Sequence, residues 1–179
     1  PQKHLQGDIN LVIRNNWIFD LTQLIYIVPC CDGSEADNTD FSGIHIYGNV
    51  LYTVNYQYPP AIFLDFSWDN SSSPITSFDV HDIDIHSNTI GWLGTYWGII
   101  IDRKAGRTVD GVKIRNNIMY DNHAISLGSG ITNVTSDYNL FYNTSSPPSF
   151  EGPNSIVGQD PQFQNYTGQN ATVFDFRLQ

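Results

Sequence analysis

The chain has 179 residues, of which 40% are hydrophobic and 15% are charged, so it is long enough for one domain with a packed core and too apolar for a disordered tract. Its formal net charge of −10 argues against nucleic acid as a partner, because a phosphate backbone needs a basic surface to bind it. No apolar run approaches the roughly 20 residues that cross a bilayer, so we expect no membrane insertion.

Glycosylation motifs point to an extracellular location, because Asn-x-Ser/Thr occurs more often than this composition gives by chance. The acceptors are Asn70, Asn133, Asn143, Asn165 and Asn170. Cys30 and Cys31 are adjacent, which leaves open a strained vicinal disulfide or two free thiols and does not fit a zinc site. We expect a single domain over residues 1–179, secreted or on the cell surface, and leave open that it is a fragment of a longer chain.

Taken in chain order, the sequence predicts a recurring set of three short strands. Each set begins with two apolar residues separated by one other residue, which is the period of a strand with one buried face. These pairs are Leu11/Ile13, Ile44/Ile46, Ile83/Ile85 and Val112/Ile114. A second apolar strand follows at once, as at residues 17–19 and 118–120. Third strands are predicted at residues 24–28, 61–65, 97–102 and 124–127.

An asparagine separates the first strand of each set from the second. It recurs at Asn16, Asn49, Asn88, Asn117 and Asn139. We expect this residue to turn the chain, because asparagine tolerates left-handed backbone angles. Its amide can hydrogen-bond to the same amide in the next set, so that the five residues form a ladder. The uneven spacing predicts loops of different length, at residues 32–40, 68–76 and 103–108.

Three strands per set and stacked asparagines predict an all-β fold, a right-handed parallel β-helix of about five to six coils. A β-sandwich is the alternative, although its strands need no recurrent asparagine. The repeats resemble the pectate-lyase-like right-handed β-helix superfamily, above all at residues 114–122, and residues 136–143, 157–163 and 175–178 resemble the closing coils of many secreted members. That superfamily contains lyases, hydrolases, epimerases and adhesins, so the resemblance implies the fold rather than one activity.

In this fold the outward side chains of the first strands form two columns. The column nearer the asparagines contains Arg14, Tyr47, His86, Arg115 and Asp137. The other contains Val12, His45, Asp84, Lys113 and Thr135. Successive members would lie about 4.8 Å apart. No other part of the chain gathers as many titratable groups, so this surface is the candidate catalytic or binding site.

The surface could cleave a uronan by β-elimination, which needs a base and a cation that stabilises the enolate-like intermediate. Lys113 or His86 would be the base and Arg115 the stabiliser, while Tyr47 and Arg14 would contact the substrate. Lyases of the superfamily resemble this in placing Lys or Arg on a sheet face, often with calcium. The aspartate and Gly-His-Gly pattern of polygalacturonases is absent from the sequence.

His45 and Asp84 complete the catalytic candidates, but a purely structural interpretation stands beside the catalytic one. In a parallel stack, His45 over Asp84 over Lys113 would be alternating charges that pair across neighbouring strands. Arg115 would pair with Asp137 in the same way. This interpretation requires no substrate.

Two further groups of residues are candidates for ligand binding. Asp65 and Asp102 end apolar strands at equivalent positions, where they would repel each other unless Ca²⁺ lay between them or neighbouring bases neutralised them. Trp68, Trp92 and Trp97 could stack on sugar rings, or could pack loops against the solenoid.

We therefore expect an extracellular domain that binds or processes polysaccharide, including a cell-surface glycan, and that is lyase-like if catalytic. The net charge would repel a polyanionic glycan unless a local basic patch or a bridging cation intervened. The alternative is a non-catalytic structural protein that assembles end to end. Neither terminus contains an obvious amphipathic capping helix, and an uncapped parallel stack leaves unpaired backbone groups at both ends.

Overall fold

The part of the chain that the structure describes is built from strands and turns, without helices. A computed structural model describes residues 10–21, 23–28, 41–53, 60–67, 79–91, 96–145, 147–165 and 175–178. Within these ranges there are 17 strands, and no helix that could span a membrane. The adjacent cysteines and the predicted loops at residues 32–40 and 68–76 lie outside the described residues. The loop predicted at residues 103–108 is a tight turn over residues 104–107 between two strands, in which the Arg107 amide donates to the Lys104 carbonyl (3.2 Å).

Three parallel sheets account for most of the strands. The first sheet contains β1 (Leu11–Arg14), β4 (Phe41–Tyr47), β7 (Asp79–His86), β10 (Thr108–Arg115) and β13 (Thr135–Asp137). The second contains β2 (Trp17–Phe19), β5 (Val50–Tyr52), β8 (Thr89–Gly91), β11 (Ile118–Tyr120), β14 (Leu140–Tyr142) and β15 (Ile156–Val157). The third contains β3 (Ile25–Ile27), β6 (Ile62–Phe66), β9 (Ile99–Arg103) and β12 (Ile125–Leu127). An antiparallel pair follows, β16 (Phe163–Asn165) and β17 (Asp175–Leu178).

From β1 to β14 the chain visits the first, second and third sheets in turn, so most strands pair with the strand three elements later. We number the repeats 1 to 5 by their first-sheet strands β1, β4, β7, β10 and β13. The parallel pairing confirms the all-β, parallel-sheet prediction and contradicts the sandwich alternative, whose sheets would be antiparallel. The arrangement is compatible with a β-helix-like solenoid.

The core is built from the inward columns of the three sheets. Ile44 pairs with Ile83, and Ile46 with Ile85, in the register that the alternating pattern predicts. These inward isoleucines have at most 2% of their surface exposed. Apolar side chains from all three sheets meet in the interior. Each additional repeat therefore extends the same continuous core.

The asparagine ladder forms as predicted, but the turn does not lie where the sequence suggested. The Asn88 amide donates to the Asn117 side-chain oxygen (3.0 Å), and the same bond links each neighbouring pair of ladder asparagines. The left-handed residue is the one before each ladder asparagine: Asn15, Gly48, Ser87, Asn116 and Tyr138. This preceding residue turns the chain, and the side chains of Asn49, Asn88, Asn117 and Asn139 are buried with both ends of the amide hydrogen-bonded.

A second column of left-handed residues bends the first sheet in mid-strand. Gly43, Asp82, Gly111 and Asn133 all have positive φ. The pairings on either side of β7 place Asp82 between Gly43 and Gly111. The Gly111 amide then donates to the Thr132 carbonyl (3.2 Å), next to Asn133. Glycine, aspartate and asparagine tolerate this conformation best, which explains the composition of the column. The bend sets the direction of the outward side chains that follow it.

The C-terminal strand β16 covers part of the outer face of the second sheet. Along that face Gly91 lies between Tyr52 and Tyr120, so one position in an aromatic column has no side chain. Phe163 packs in a buried cluster with Tyr52 and lies 6.0 Å from the Tyr120 ring, centroid to centroid. Burial, with smaller contributions from Asp121, Tyr142 and Asp160, raises the pKa of Tyr120 to about 12.

The inward column of the first sheet becomes polar at repeat 5. In the inward column, Ser136 takes the place of Ile114, and Glu151 forms the next bridge along. Ser136 donates to the Glu151 carboxylate (2.6 Å), and Phe150 packs against the core beside it. Strand β15 then continues the second sheet for two residues. This partial sixth repeat therefore closes the apolar interior with a hydrogen-bonded carboxylate.

Candidate functional site

The first sheet brings the outward residues together as the sequence predicts. Arg14 pairs with Tyr47, Tyr47 with His86, His86 with Arg115, and Arg115 with Asp137. The second column runs in the same way through Val12, His45, Asp84, Lys113 and Thr135. Because paired strands lie about 4.8 Å apart, neighbouring side chains in a column are within contact distance.

Direct contacts link the N-terminal half of the outer column. The Arg14 Nη1 donates to the Tyr47 hydroxyl (3.2 Å). The Tyr47 ring stacks on the His86 ring with a centroid separation of 4.8 Å and an interplanar angle of 5°. The His86 Nδ1 lies 3.2 Å from the Ser87 hydroxyl. Three repeats thus contribute to one continuous strip of cation, phenol and imidazole.

Charge pairing on this surface is diagonal rather than straight across the strands. Arg115 Nη2 lies 2.7 Å from Asp84 Oδ2, between the two columns, and the Asp84 side chain is only 14% exposed. Asp137, the partner expected for Arg115, instead accepts bonds from the Asn154 amide (2.9 Å) and side chain (2.7 Å). Arg115 is therefore engaged with a mostly buried carboxylate.

Sequence reasoning missed Asp82, which lies in the mid-strand bend. Its carboxylate is 3.9 Å from His45 Nε2 and 3.8 Å from Lys113 Nζ, so it bridges the repeats on either side of its own. Asp82 and Lys113 are exposed and His45 is partly exposed, so these contacts are weak. The sequence does contain a signal for the bend at Asp82. This residue aligns with Gly43 and Gly111, and all three are residue types that tolerate the left-handed conformation.

His86 is the side chain best suited to act as a base. Burial lowers its pKa, Arg115 and His45 lower it further, and Asp84 opposes them. The imidazole is thus neutral at neutral pH, when it can accept a proton. A neutral base beside a guanidinium is the minimum that proton abstraction next to a carboxylate requires.

The two predicted metal ligands do lie side by side, since Asp65 pairs with Asp102. Asp65 is buried and accepts hydrogen bonds from the Tyr26 hydroxyl (3.0 Å) and from the amide and hydroxyl of Ser67 (3.1 and 2.5 Å). Asp102 accepts the Arg103 amide (2.8 Å). Hydroxyl and amide donors thus satisfy these carboxylates. In the described part of the chain no three His, Cys, Asp or Glu side chains cluster as a metal site would require.

Of the three candidate tryptophans, Trp97 is described by the structure, and it does not join the first-sheet surface. Trp68 and Trp92 lie outside the described residues. Trp97 is 36% exposed and contacts the His123 ring at 5.5 Å, just before β9 of the third sheet. The aromatic residue that accompanies the polar columns is Tyr47.

Comparisons with known proteins returned no matching family model, no matching curated protein and no matching solved structure.

Proposed function

We propose that this chain is an extracellular right-handed parallel β-helix of the pectate-lyase-like kind, and that the outer face of its first sheet binds polysaccharide. The strip from Arg14 through Tyr47 and His86 to Arg115 carries the proposal. It runs across four successive repeats, as a surface for a linear polymer should. The Tyr47 hydroxyl and the His86 ring nitrogens can hydrogen-bond to sugar hydroxyls, and the guanidinium groups can donate to them.

The charge pairing on this face favours binding by hydrogen bonding rather than by net charge. Arg115 is neutralised by Asp84 at 2.7 Å, and Lys113 lies 3.8 Å from Asp82. The formal charge of −10 adds a repulsive field for polyanions. Binding should therefore depend only weakly on salt concentration.

Calorimetric titration with a panel of neutral and acidic glycans tests the proposal. Tyr47→Ala removes the phenol at the centre of the strip and should weaken binding by about tenfold, which corresponds to the loss of about one hydrogen bond. Trp17→Ala is the matched control, since Trp17 is 59% exposed but belongs to the second sheet. Equal effects of the two substitutions, or no binding by the unaltered chain, would reject this surface.

Lyase activity is a second candidate, favoured by the lowered pKa of His86 next to Arg115. His86 would remove the proton at C5 beside a uronate carboxylate, and Arg115 would stabilise the charge that develops. The C4–O glycosidic bond would then break as the C4–C5 double bond forms, with the leaving oxygen protonated by the imidazolium or by water. Incubation with uronans should release unsaturated products that absorb ultraviolet light, and His86→Ala should abolish this release. If the unaltered protein releases no such product from any uronan tested, the lyase proposal is wrong and the binding proposal is unaffected.

The proposed extracellular location is supported by two exposed glycosylation acceptors, Asn133 and Asn143. Expression through a eukaryotic secretory pathway should give a chain whose mass falls after endoglycosidase treatment. An unchanged mass for the unaltered chain would argue against modification at these positions.

A further inference from the structure

One oxygen of the Asp84 carboxylate has no hydrogen-bond donor. Its Oδ2 lies 2.7 Å from Arg115 Nη2, but its Oδ1 is buried and receives no donor from any residue that the structure describes. A buried acceptor in this state is costly, because it has lost its hydration without gaining a partner. Asp84 Oδ1 would therefore be stabilised by any neighbouring side chain that turned a donor towards it.

Two basic residues stand next to Asp84 in the strand register, but both contact Asp82 instead. His45 on β4 and Lys113 on β10 are the direct partners of Asp84. The His45 Nε2 lies 3.9 Å from one oxygen of Asp82, and the Lys113 Nζ lies 3.8 Å from the other. Both separations exceed hydrogen-bond length, and Asp82 and Lys113 are each 54% exposed, so these contacts are weak and easily exchanged.

A gap adjoins Asp82 where the first sheet bends. The register places Gly43 of repeat 2 and Gly111 of repeat 4 on either side of it, so neither neighbouring strand carries a side chain there. Apart from its chain neighbours, a Cβ atom at Gly111 would have only the Asp82 backbone nitrogen within 4 Å among the described residues. We call the space over Gly43, Asp82 and Gly111 the bend notch. The contacts with His45 and Lys113 place the Asp82 carboxylate on the face that carries the polar columns.

We propose that the bend notch binds one ring of an uncharged polysaccharide, and that Asp82 accepts hydrogen bonds from two adjacent hydroxyl groups of that ring. The two oxygens of a carboxylate act only as acceptors, so they match a pair of hydroxyl donors. A uronate would instead bring a second carboxylate towards Asp82 and be repelled. The inference rests on the proposed binding of polysaccharide by this face, and it adds the class of sugar and the residue that selects it.

The ammonium of Lys113 moves to Asp84 when sugar hydroxyls displace it from Asp82. Asp84 is its direct strand neighbour and holds the unpaired Oδ1, and the flexible lysine stem can turn the ammonium from one carboxylate to the other. Asp84 then has a basic group at each oxygen, with Arg115 at Oδ2 and Lys113 at Oδ1. Binding of the sugar thus satisfies an acceptor that is unpaired in the unbound chain.

Calorimetric titration with hexasaccharides of β-1,4-linked glucose, mannose and galactose tests the role of Asp82. Asp82→Asn suits the left-handed backbone, which Asn133 already adopts in this column, but replaces one acceptor with a donor. It should weaken binding at least about tenfold, as the loss of a hydrogen bond to a charged group predicts. Asp79→Asn is the matched control, because it removes the same charge from an exposed position of β7 and should leave binding unchanged.

The possible failures of this titration are distinguishable. Equal effects of Asp82→Asn and Asp79→Asn would overturn the role of Asp82, as would tighter binding of a galacturonate hexamer than of all three neutral ones. In both cases binding of polysaccharide by the chain would still stand. If the unaltered chain binds none of the four hexamers, this inference and the proposed function are both wrong.

Carboxyl ¹³C NMR distinguishes movement of Lys113 from direct contact between the sugar and Asp84. The neutral hexamer that binds most tightly should shift the Asp84 carboxyl resonance in the unaltered chain. In Lys113→Met the hexamer should still bind, because Asp82 is free to accept its hydroxyls, but the Asp84 resonance should not shift. A shift in both chains would show that the sugar itself reaches Asp84, and no shift in either would show that Lys113 stays at Asp82. Either result overturns the movement of Lys113.

Discussion

At the scale of single residues, the ladder asparagines are the polar side chains on which stability depends most. Asn88 takes part through its side chain in four buried hydrogen bonds, with Ile46, Asn49 and Asn117. Asn88→Ala leaves several of these groups buried without partners and should cost about 3–5 kcal/mol of unfolding free energy. Asn16→Ala, at the exposed end, should cost about 1 kcal/mol. Denaturant titration measures both, and similar losses would contradict the importance of burial.

His86 makes stability depend on pH. Because its folded-state pKa lies below the ordinary value of 6.5, the unfolded chain binds the proton first as pH falls. The folded state therefore loses stability as pH drops through about 6.5, until His86 in the folded state is also protonated. His86→Gln should remove this contribution. The unfolding free energy of the variant should therefore rise relative to that of the unaltered chain as pH falls from 7.5 to 5. A difference that is constant with pH would refute the lowered pKa.

At the scale of elements, strand β16 should act through Phe163. Phe163→Ala admits water to Tyr120, so the pKa of Tyr120 should fall from about 12 towards 10. The same substitution should cost about 3 kcal/mol of unfolding free energy, as for other large-to-small changes at buried sites. Phe19→Ala is the control, because Phe19 lies on the same outer face but is 47% exposed. Alkaline titration of tyrosinate absorbance checks the first effect, and an unchanged Tyr120 would show that Phe163 does not cover it.

The elements that repeat were predictable from the sequence, and those that occur once were not. Pairs such as His86 and Arg115 followed from aligning the ladder asparagines, because parallel pairing copies a backbone register from strand to strand. The contact between Arg115 and Asp84 could not be predicted in the same way. A long side chain can reach diagonally to a neighbouring column, and the backbone register does not determine its torsion angles. Phe163 packs with Tyr52 from a segment outside the repeat, so the repeat pattern could not predict this contact.

At the scale of the whole molecule, polar groups on repeat 1 and on the partial sixth repeat bear on whether copies assemble in line. Contact between these two described surfaces would set the Ser155 and Glu151 oxygens of one copy against the Asn16 side-chain oxygen of another, so we expect no association through them. Ser155→Asn combined with Glu151→Leu would continue the ladder and the apolar column, and would present donors to Asn16 of another copy. Sedimentation velocity should then show association that grows with concentration.

The control for this design is Ser155→Asp combined with Glu151→Leu, which adds the same apolar surface but only acceptors. If it associates as strongly as the asparagine variant, exposed leucine rather than the ladder drives assembly. Filaments formed by the unaltered chain would instead favour the end-to-end structural role over the glycan-binding one.

The contact of Phe163 with Tyr120 has a consequence for how the molecule comes apart. A linear array of repeats normally frays from its ends, because each repeat touches only its neighbours. Here the chain leaves the last repeat and returns to the outer face of repeats 2 to 4. Unfolding of the final repeat therefore also disturbs the contacts that Phe163 makes with Tyr52 and Tyr120 in the middle of the stack. The C-terminal half should consequently melt as one cooperative unit, whereas repeat 1, with no such tether among the described residues, should be the first to loosen.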